Sequence, residues 1–347
     1  MGSRRDVFAF LAFFALSAGV FYAGAKFHVP WFGGNDFSQY YLMTVNPFEN
    51  GAEAPWAYRM LVPTAAHFVH KYGIFYDFQM TPFKDRYLLA EGTQYDASIL
   101  HAIIFTNYVF IALAAFSVYK ATQVAFSRSE RQEKWLPMLL PSLLFLSLST
   151  SVHGYAGLTE GGALFMVAVL CYLAMANRLL LFSLVCSAST LGRELVPLVL
   201  LVYVLSVANQ SRRSRFAIVS FLSFVLYFLV RSLLGFEGNE HQTDVSSLVS
   251  NVLEFRISRD FVFQAILANN TPFFVLLAAL ALGVVILRPF LPYLLVTLTL
   301  FMIGIASDIG NNVGRILNLA TPILILGVAE FIRLSGRGDG GILRTSS

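Results

Sequence analysis

Long apolar runs, separated by short stretches that hold most of the charge, dominate this chain. Such windows lie near 7–27, 97–118, 136–152, 161–176, 179–192, 195–209, 216–235, 272–287, 289–306 and 316–333. A segment in hydrocarbon must satisfy its own backbone hydrogen bonds, so repeated apolar runs of about 17–25 residues predict helices. The short alternating segments of a membrane barrel do not occur in the sequence. The expected fold is therefore all-α: a polytopic transmembrane helical bundle of about ten spans.

The first window comes after Arg4 and Arg5 and ends in Ala23-Gly24-Ala25, a small-residue pattern also found at cleavable signal peptides. We read it as an uncleaved anchor; either version puts the next segment of the chain outside. Two of the intervening segments, 31–96 and 236–271, are too long to be simple connectors and are rich in aromatic and apolar residues. They are expected to lie on the outer membrane surface with interfacial helices. In the second, Val245, Leu248, Val249, Val252 and Phe255 recur at helical spacing. The expected organisation is one transmembrane domain over 1–335, then a Gly-rich, disordered cytoplasmic tail over 336–347.

Composition strengthens this reading. The chain is 57% hydrophobic and 13% charged, with a mean hydropathy of +0.67, against roughly a quarter charged in soluble domains. Its net charge of +4 does not mark a nucleic-acid partner, because the basic residues fall in clusters between apolar runs and form no continuous stripe. With both termini cytoplasmic, the inside segments carry +9 and the remainder −5, which together make the +4 of the whole chain. That asymmetry is the one expected of an inner-membrane protein with both termini inside. Cys171 and Cys186 each stand alone in an apolar run, so they imply packing, with no disulfide or thiolate site.

Charge is expensive in hydrocarbon, so its position along the spans is informative. The span centres hold almost none, whereas the outer ends collect Asp36, Arg59, Glu160, Arg193, Glu194, Asp308 and Arg315. Arg193-Glu194 sits in a short turn between apolar runs. It is either a structural ion pair, with Glu160 or Arg315 as partner, or a substrate contact in which arginine grips a phosphate. Asp36 comes directly after Gly33-Gly34-Asn35; it either caps a loop or acts as a general base with a pKa raised by partial desolvation. Arg59, in Tyr58-Arg59-Met60-Leu61-Val62-Pro63, either snorkels to phospholipid or touches a donor phosphate.

His67 and His70 are spaced to share a helix face but have no third ligand at metal spacing, so no metal is indicated. No Walker motif, dinucleotide fingerprint or serine-hydrolase elbow occurs. No cofactor is expected.

The run Asn35-Asp36-Phe37-Ser38-Gln39-Tyr40-Tyr41 after a first span, the long helical first outside loop with Tyr58 to Pro63, the mid-chain Arg193-Glu194 turn and Gly314-Arg315 opening a late span together resemble the integral-membrane glycosyltransferases of the GT-C superfamily. The resemblance implies transfer of a sugar from a polyprenyl-phosphate donor to a glycan, lipid or protein acceptor hydroxyl on the extracytoplasmic face, with inversion. It makes Asp36 the base and Arg59, Glu160, Arg193, Glu194 and Arg315 the substrate-binding groups. No second carboxylate adjoins Asp36 here, as one does in several members. The rival readings are a transporter or flippase, whose polar sites usually lie near the midplane, and a polymerase of lipid-linked glycans.

Overall fold

The computed structural model describes residues 4–27, 35–48, 52, 59–74, 96–127, 135–147, 150, 159–206, 213–234, 245–253, 290–306 and 316–335. Within these ranges the side chains of 20–27, 35–36, 97, 234, 245–248 and 335 lie outside the description. Among the described residues the chain is all-helical and has no strand.

The helices are α1 (Arg4–Phe27), α2 (Asn35–Val45), α3 (Leu61–Lys71), α4 (Ala97–Phe126), α5 (Leu136–Leu139), α6 (Glu160–Met175), α7 (Leu179–Ser189), α8 (Val196–Ser206), α9 (Arg213–Leu234), α10 (Val245–Leu253), α11 (Leu291–Ala306) and α12 (Thr321–Ser335). Proline marks several starts: Pro137, Pro197, Pro292 and Pro322 are each the second residue of their helix. There a missing N–H costs nothing and the fixed φ suits the first turn.

Of the expected spans, Ser98–Phe126 and Arg213–Leu233 are long and apolar enough to cross a bilayer by themselves. The windows at 161–176, 179–192, 195–209, 289–306 and 316–333 do form helices, but these hold 11 to 16 residues. They rise only ~16–24 Å, short of the ~30 Å hydrocarbon core. Among the described residues these lengths do not make up about ten full spans; α1, 24 residues long, has the side chains of 20–27 outside the description, and the residues directly after α8, α11 and α12 also lie outside it. The window 136–152 is not one helix at all: α5 lasts four residues and passes into a 3₁₀ turn, Leu140–Leu144. Pro137 can open a helix, but Pro141 lacks a donor and its ring crowds the carbonyl four residues back, which ends the α-helix. The window 272–287 and the tail 336–347 lie outside the described residues.

The two long segments expected to lie outside contain helices where helical character was expected. α2 and α3 fall within 31–96, and α10 tracks the Val245 periodicity as far as Leu253; Phe255 lies outside the described residues. Asn251 Nδ2 donates to the carbonyl of Ala306 at 2.9 Å, tying α10 to the end of α11.

α4 is the spine. It packs against α1, α3, α6 and α12, and Ile103, Ile104, Ile111, Ala112 and Ala115 along it are fully buried. α1 runs antiparallel to it, with Phe10 edge-on to Phe116 and Phe14 against Tyr108. Asp6 and Lys120 close that end at 3.1 Å. α6 runs parallel to α4, with Gly161 beside Asn107 and Phe110 stacked on Phe165. α9 is peripheral and turns Phe221, Leu222, Leu226, Leu229 and Leu233 outward.

The α4–α6 approach depends on Gly161. Its N–H donates to Asn107 Oδ1 at 3.1 Å, and a Cβ there would stand 2.7 Å from that oxygen and 2.8 Å from the Asn107 carbonyl oxygen. Gly161→Ala should cost about 1–3 kcal/mol through forced helix separation. Gly19→Ala, which meets nothing within 4 Å, is expected to be nearly neutral. Thermal unfolding of both variants in the same detergent checks the contrast.

Candidate functional site

The turn between α7 and α8 organises the site. The Ser189 carbonyl accepts from the N–H groups of Gly192 at 2.9 Å and Arg193 at 3.0 Å, which folds the chain back sharply. The Leu191 carbonyl is thereby directed outward and accepts from the Leu61 N–H at 3.0 Å. Leu61 and Val62 then settle against glycine surfaces: a Cβ on Gly162 would stand 2.8 Å from Val62, and one on Gly192 would stand 3.3 Å from Leu61. Arg59, two residues before Leu61, is carried to the same turn.

Two ion pairs result. Arg59 grips Glu194 with two donors, Nε to Oε2 at 3.1 Å and one terminal nitrogen to Oε1 at 2.7 Å. Its other terminal nitrogen reaches the Tyr40 hydroxyl of α2 at 3.3 Å. Arg193 turns the opposite way and meets Glu160 at 3.0 Å. Glu160 is the first residue of α6, where the helix N-terminus favours a carboxylate. This second pair is nearly sealed, with side-chain exposures of 6% and 1%. Arg59–Glu194 is slightly more open, at 12% and 20%.

Burial alone would push the Glu194 carboxyl up. The Arg59 guanidinium, with Arg193 behind it, outweighs burial and holds the group at about 2. Burial likewise works against the Arg59 charge, and Glu194 with Tyr40 more than restores it, so Arg59 lies well above the ordinary arginine range. Both residues are charged at any working pH.

α9 adds Tyr227 and Arg231, one helical turn apart, with Tyr227 in the electrostatic field of Glu194, Arg231 and Arg59. The charged side chains described at this place are thus three arginines and two glutamates. Beside it, α2, α3 and α4 share a polar seam. His67 Nδ1 meets the Thr44 carbonyl at 2.9 Å, and His70 Nε2 meets Ser98 Oγ at 2.8 Å. Ser98 in turn donates its hydroxyl to Asp96 at 2.7 Å. Burial pushes the Asp96 carboxyl up, but bonds from Ser98 and the nearby His70 and His101 bring it below the usual range. Since the Ser98 proton goes to Asp96, His70 Nε2 must carry a proton of its own. The two histidines therefore serve separate hydrogen bonds. No group of three His, Cys, Asp or Glu suited to an ion occurs among the described residues.

Of the residues expected from sequence, Arg59, Glu160, Arg193 and Glu194 come together. Arg193 has the partner anticipated for it in Glu160, whereas Glu194 pairs with Arg59, a combination the sequence did not single out. Arg59, bonded to a carboxylate within the fold, does not snorkel freely. Asp36 stands in the first turn of α2, one turn before Tyr40; its side chain lies outside the description, as do Arg315 and Asp308. Tyr40, Tyr227 and Arg231 were missed. Arg231 had a signal, being a cation inside the apolar window 216–235. No protein-family model, curated protein or solved structure matches the chain.

Removing one partner of the sealed pair should strand a buried charge. Arg193→Met is expected to cost about 3–5 kcal/mol, and adding Glu160→Gln should recover much of that loss. A double-mutant cycle on unfolding midpoints measures it. The depressed Glu194 pKa predicts acid sensitivity: its stabilisation is complete above the ordinary carboxyl range, near pH ~4.3. It is lost as pH falls from there towards about 2. Glu194→Gln should flatten the pH dependence of unfolding across that interval.

Proposed function

We propose that this chain is an inner-membrane glycosyltransferase of GT-C type, taking sugar from a polyprenyl phosphate on the extracytoplasmic face with both termini cytoplasmic. The observation that carries the reading is the cluster of buried guanidinium groups at one end of the bundle, assembled by helix starts and a tight turn. The outward apolar faces of α1 and α9, with Phe8, Leu11, Phe221 and Leu222 exposed, suit contact with lipid. The distribution of basic residues in the sequence favours the topology. The full complement of about ten spans remains part of this proposal, as does the GT-C likeness.

In this mechanism Asp36 takes the proton from an acceptor hydroxyl as that oxygen attacks the anomeric carbon. The bond from that carbon to the phosphate oxygen breaks, and the lipid phosphate leaves with the bonding electrons. Attack opposite the leaving group inverts the anomeric centre. Negative charge grows on the departing phosphate, so preorganised cations there lower the barrier. Arg59 is suited to this role because one terminal nitrogen makes only the 3.3 Å contact to Tyr40, a donor that a phosphate oxygen can take over. Arg193, sealed against Glu160, holds the turn and shapes the field, and Glu194 fixes the Arg59 fork. Arg315 and Arg231 are further phosphate contacts in this scheme.

Radiolabelled polyprenyl-phosphate hexoses and pentoses, offered to membranes containing the chain, test the proposal. Labelling of an acceptor is expected with the wild type and should fall at least ~100-fold in Asp36→Asn, the scale of a lost general base. Full activity in that variant would remove Asp36 from the role of base. No labelling from any donor by a folded protein would instead favour transport.

A further inference from the structure

A second polar cluster, uncharged among its described members, lies at the start of α12. Ser147, Thr150 and Asn318 are each 1% exposed and Thr321 is 0% exposed. Asn318 Oδ1 faces Thr150 Oγ1 at 3.0 Å, Thr321 Oγ1 at 3.1 Å and Ser147 Oγ at 3.4 Å. An amide oxygen offers two lone pairs, so three hydroxyls compete for it. The amide nitrogen, with two N–H donors, has no hydrogen-bond partner. Turning the amide over would present nitrogen to the hydroxyl oxygens and leave the carbonyl oxygen in the partnerless position. One end of the amide lacks a partner in either orientation.

Asn107, equally buried, shows what a purely structural asparagine does in this fold. It donates to the Ile103 carbonyl at 3.2 Å and accepts from Gly161 at 3.1 Å, so both ends of its amide are used. Buried amides that are left incomplete are uncommon in folded proteins and call for an explanation.

We infer that Ser147, Thr150, Asn318 and Thr321 form a binding subsite for a neutral hydroxylated ligand, a sugar whose ring hydroxyl completes the Asn318 amide. A hydroxyl both donates and accepts, so it satisfies either orientation of the amide. An anion fits only an outward nitrogen, and a cation only an outward oxygen. The described members of the cluster supply no charge to favour either. The turn Asn318–Ala320 packs against α6, α8 and α11, so the subsite shares α6 and α8 with the arginine cluster. α6 opens with Glu160, and α8 begins just after Arg193-Glu194. The inference rests on the proposed function, dividing the donor so that the arginine cluster takes its phosphate and this subsite its sugar.

The test uses the full chain in lipid nanodiscs, with methyl glycosides of hexoses and pentoses as probes and thermal unfolding as readout. At least one glycoside is expected to raise the wild-type midpoint. Half-saturation should weaken at least ~10-fold in Asn318→Leu and measurably in Thr150→Val, as when a site built to bond a hydroxyl loses its partner. Without sugar, Asn318→Leu should unfold at a somewhat lower midpoint than the wild type, since it takes the shared acceptor from the Thr150, Thr321 and Ser147 hydroxyls, so its glycoside response is read against its own sugar-free midpoint. If that variant does not fold, Thr150→Val decides. Equal protection of both variants and the wild type, or no protection of the wild type by any glycoside up to its solubility limit, would overturn the subsite and leave a buried water completing the amide. Asp36→Asn separates the two proposals, since it should abolish transfer yet keep glycoside protection. Asn318-dependent protection without transfer from any donor upholds the subsite and sinks the transferase reading. Transfer with protection indifferent to Asn318 and Thr150 does the reverse.

Discussion

Four charges withdrawn from water at the turn between α7 and α8 persist because each carboxylate has a guanidinium within 3.0 Å. In a low-dielectric interior an unpaired member would be very costly, so the pairs dictate where their carriers sit. Arg193 and Glu194 are neighbours in sequence, yet they reach across 33 and 135 positions to different partners. One short turn therefore holds the start of α6 and the approach to α3 at once. The Leu61–Leu191 backbone bond and the glycine surfaces under Leu61 and Val62 make that convergence sterically possible.

The rest of the bundle supports this arrangement. α4 gives a continuous buried spine, and Asn107 on it fixes the level at which α6 begins. The Asp6–Lys120 pair lies at the opposite end, 13 residues further along α4 from Asn107, or ~20 Å. Polar chemistry is thus concentrated at helix starts and turns, while the middle of the bundle is packed with Ile, Leu, Ala and aromatic rings. A site built this way is rigid through its backbone bonds, and its side chains are held by charge.

Much of this was legible in the sequence. Apolar windows located nine of the twelve described helices, with α2, α3 and α10 falling between them, and the charges between the windows or at their edges located Arg59, Glu160, Arg193 and Glu194. Helix length was less accessible, because hydropathy cannot see where Pro141 or the Gly192 turn ends a helix inside an apolar run. The pairing was inaccessible for another reason: which carboxylate meets Arg59 depends on the path of the chain between positions 59 and 194. Tyr40 and Tyr227 gave no signal, since a tyrosine within a helix looks the same in sequence whether it meets an arginine or a headgroup. Asn318 was hidden in the same way, as one amide in a polar patch at the edge of an apolar window.

The contact between Gly161 and Asn107 has a consequence for descent. Helix faces that meet through side chains can drift, since one bulky residue can be exchanged for another, but a contact set by backbone leaves no such latitude. A lineage that keeps this architecture would conserve an asparagine in α4, an acidic residue and two glycines opening α6, and Gly-Arg-Glu in the next tight turn. Those positions, sparse and widely spaced, would outlast the apolar background in divergent sequences and allow distant kin to be recognised by pattern where overall identity has faded.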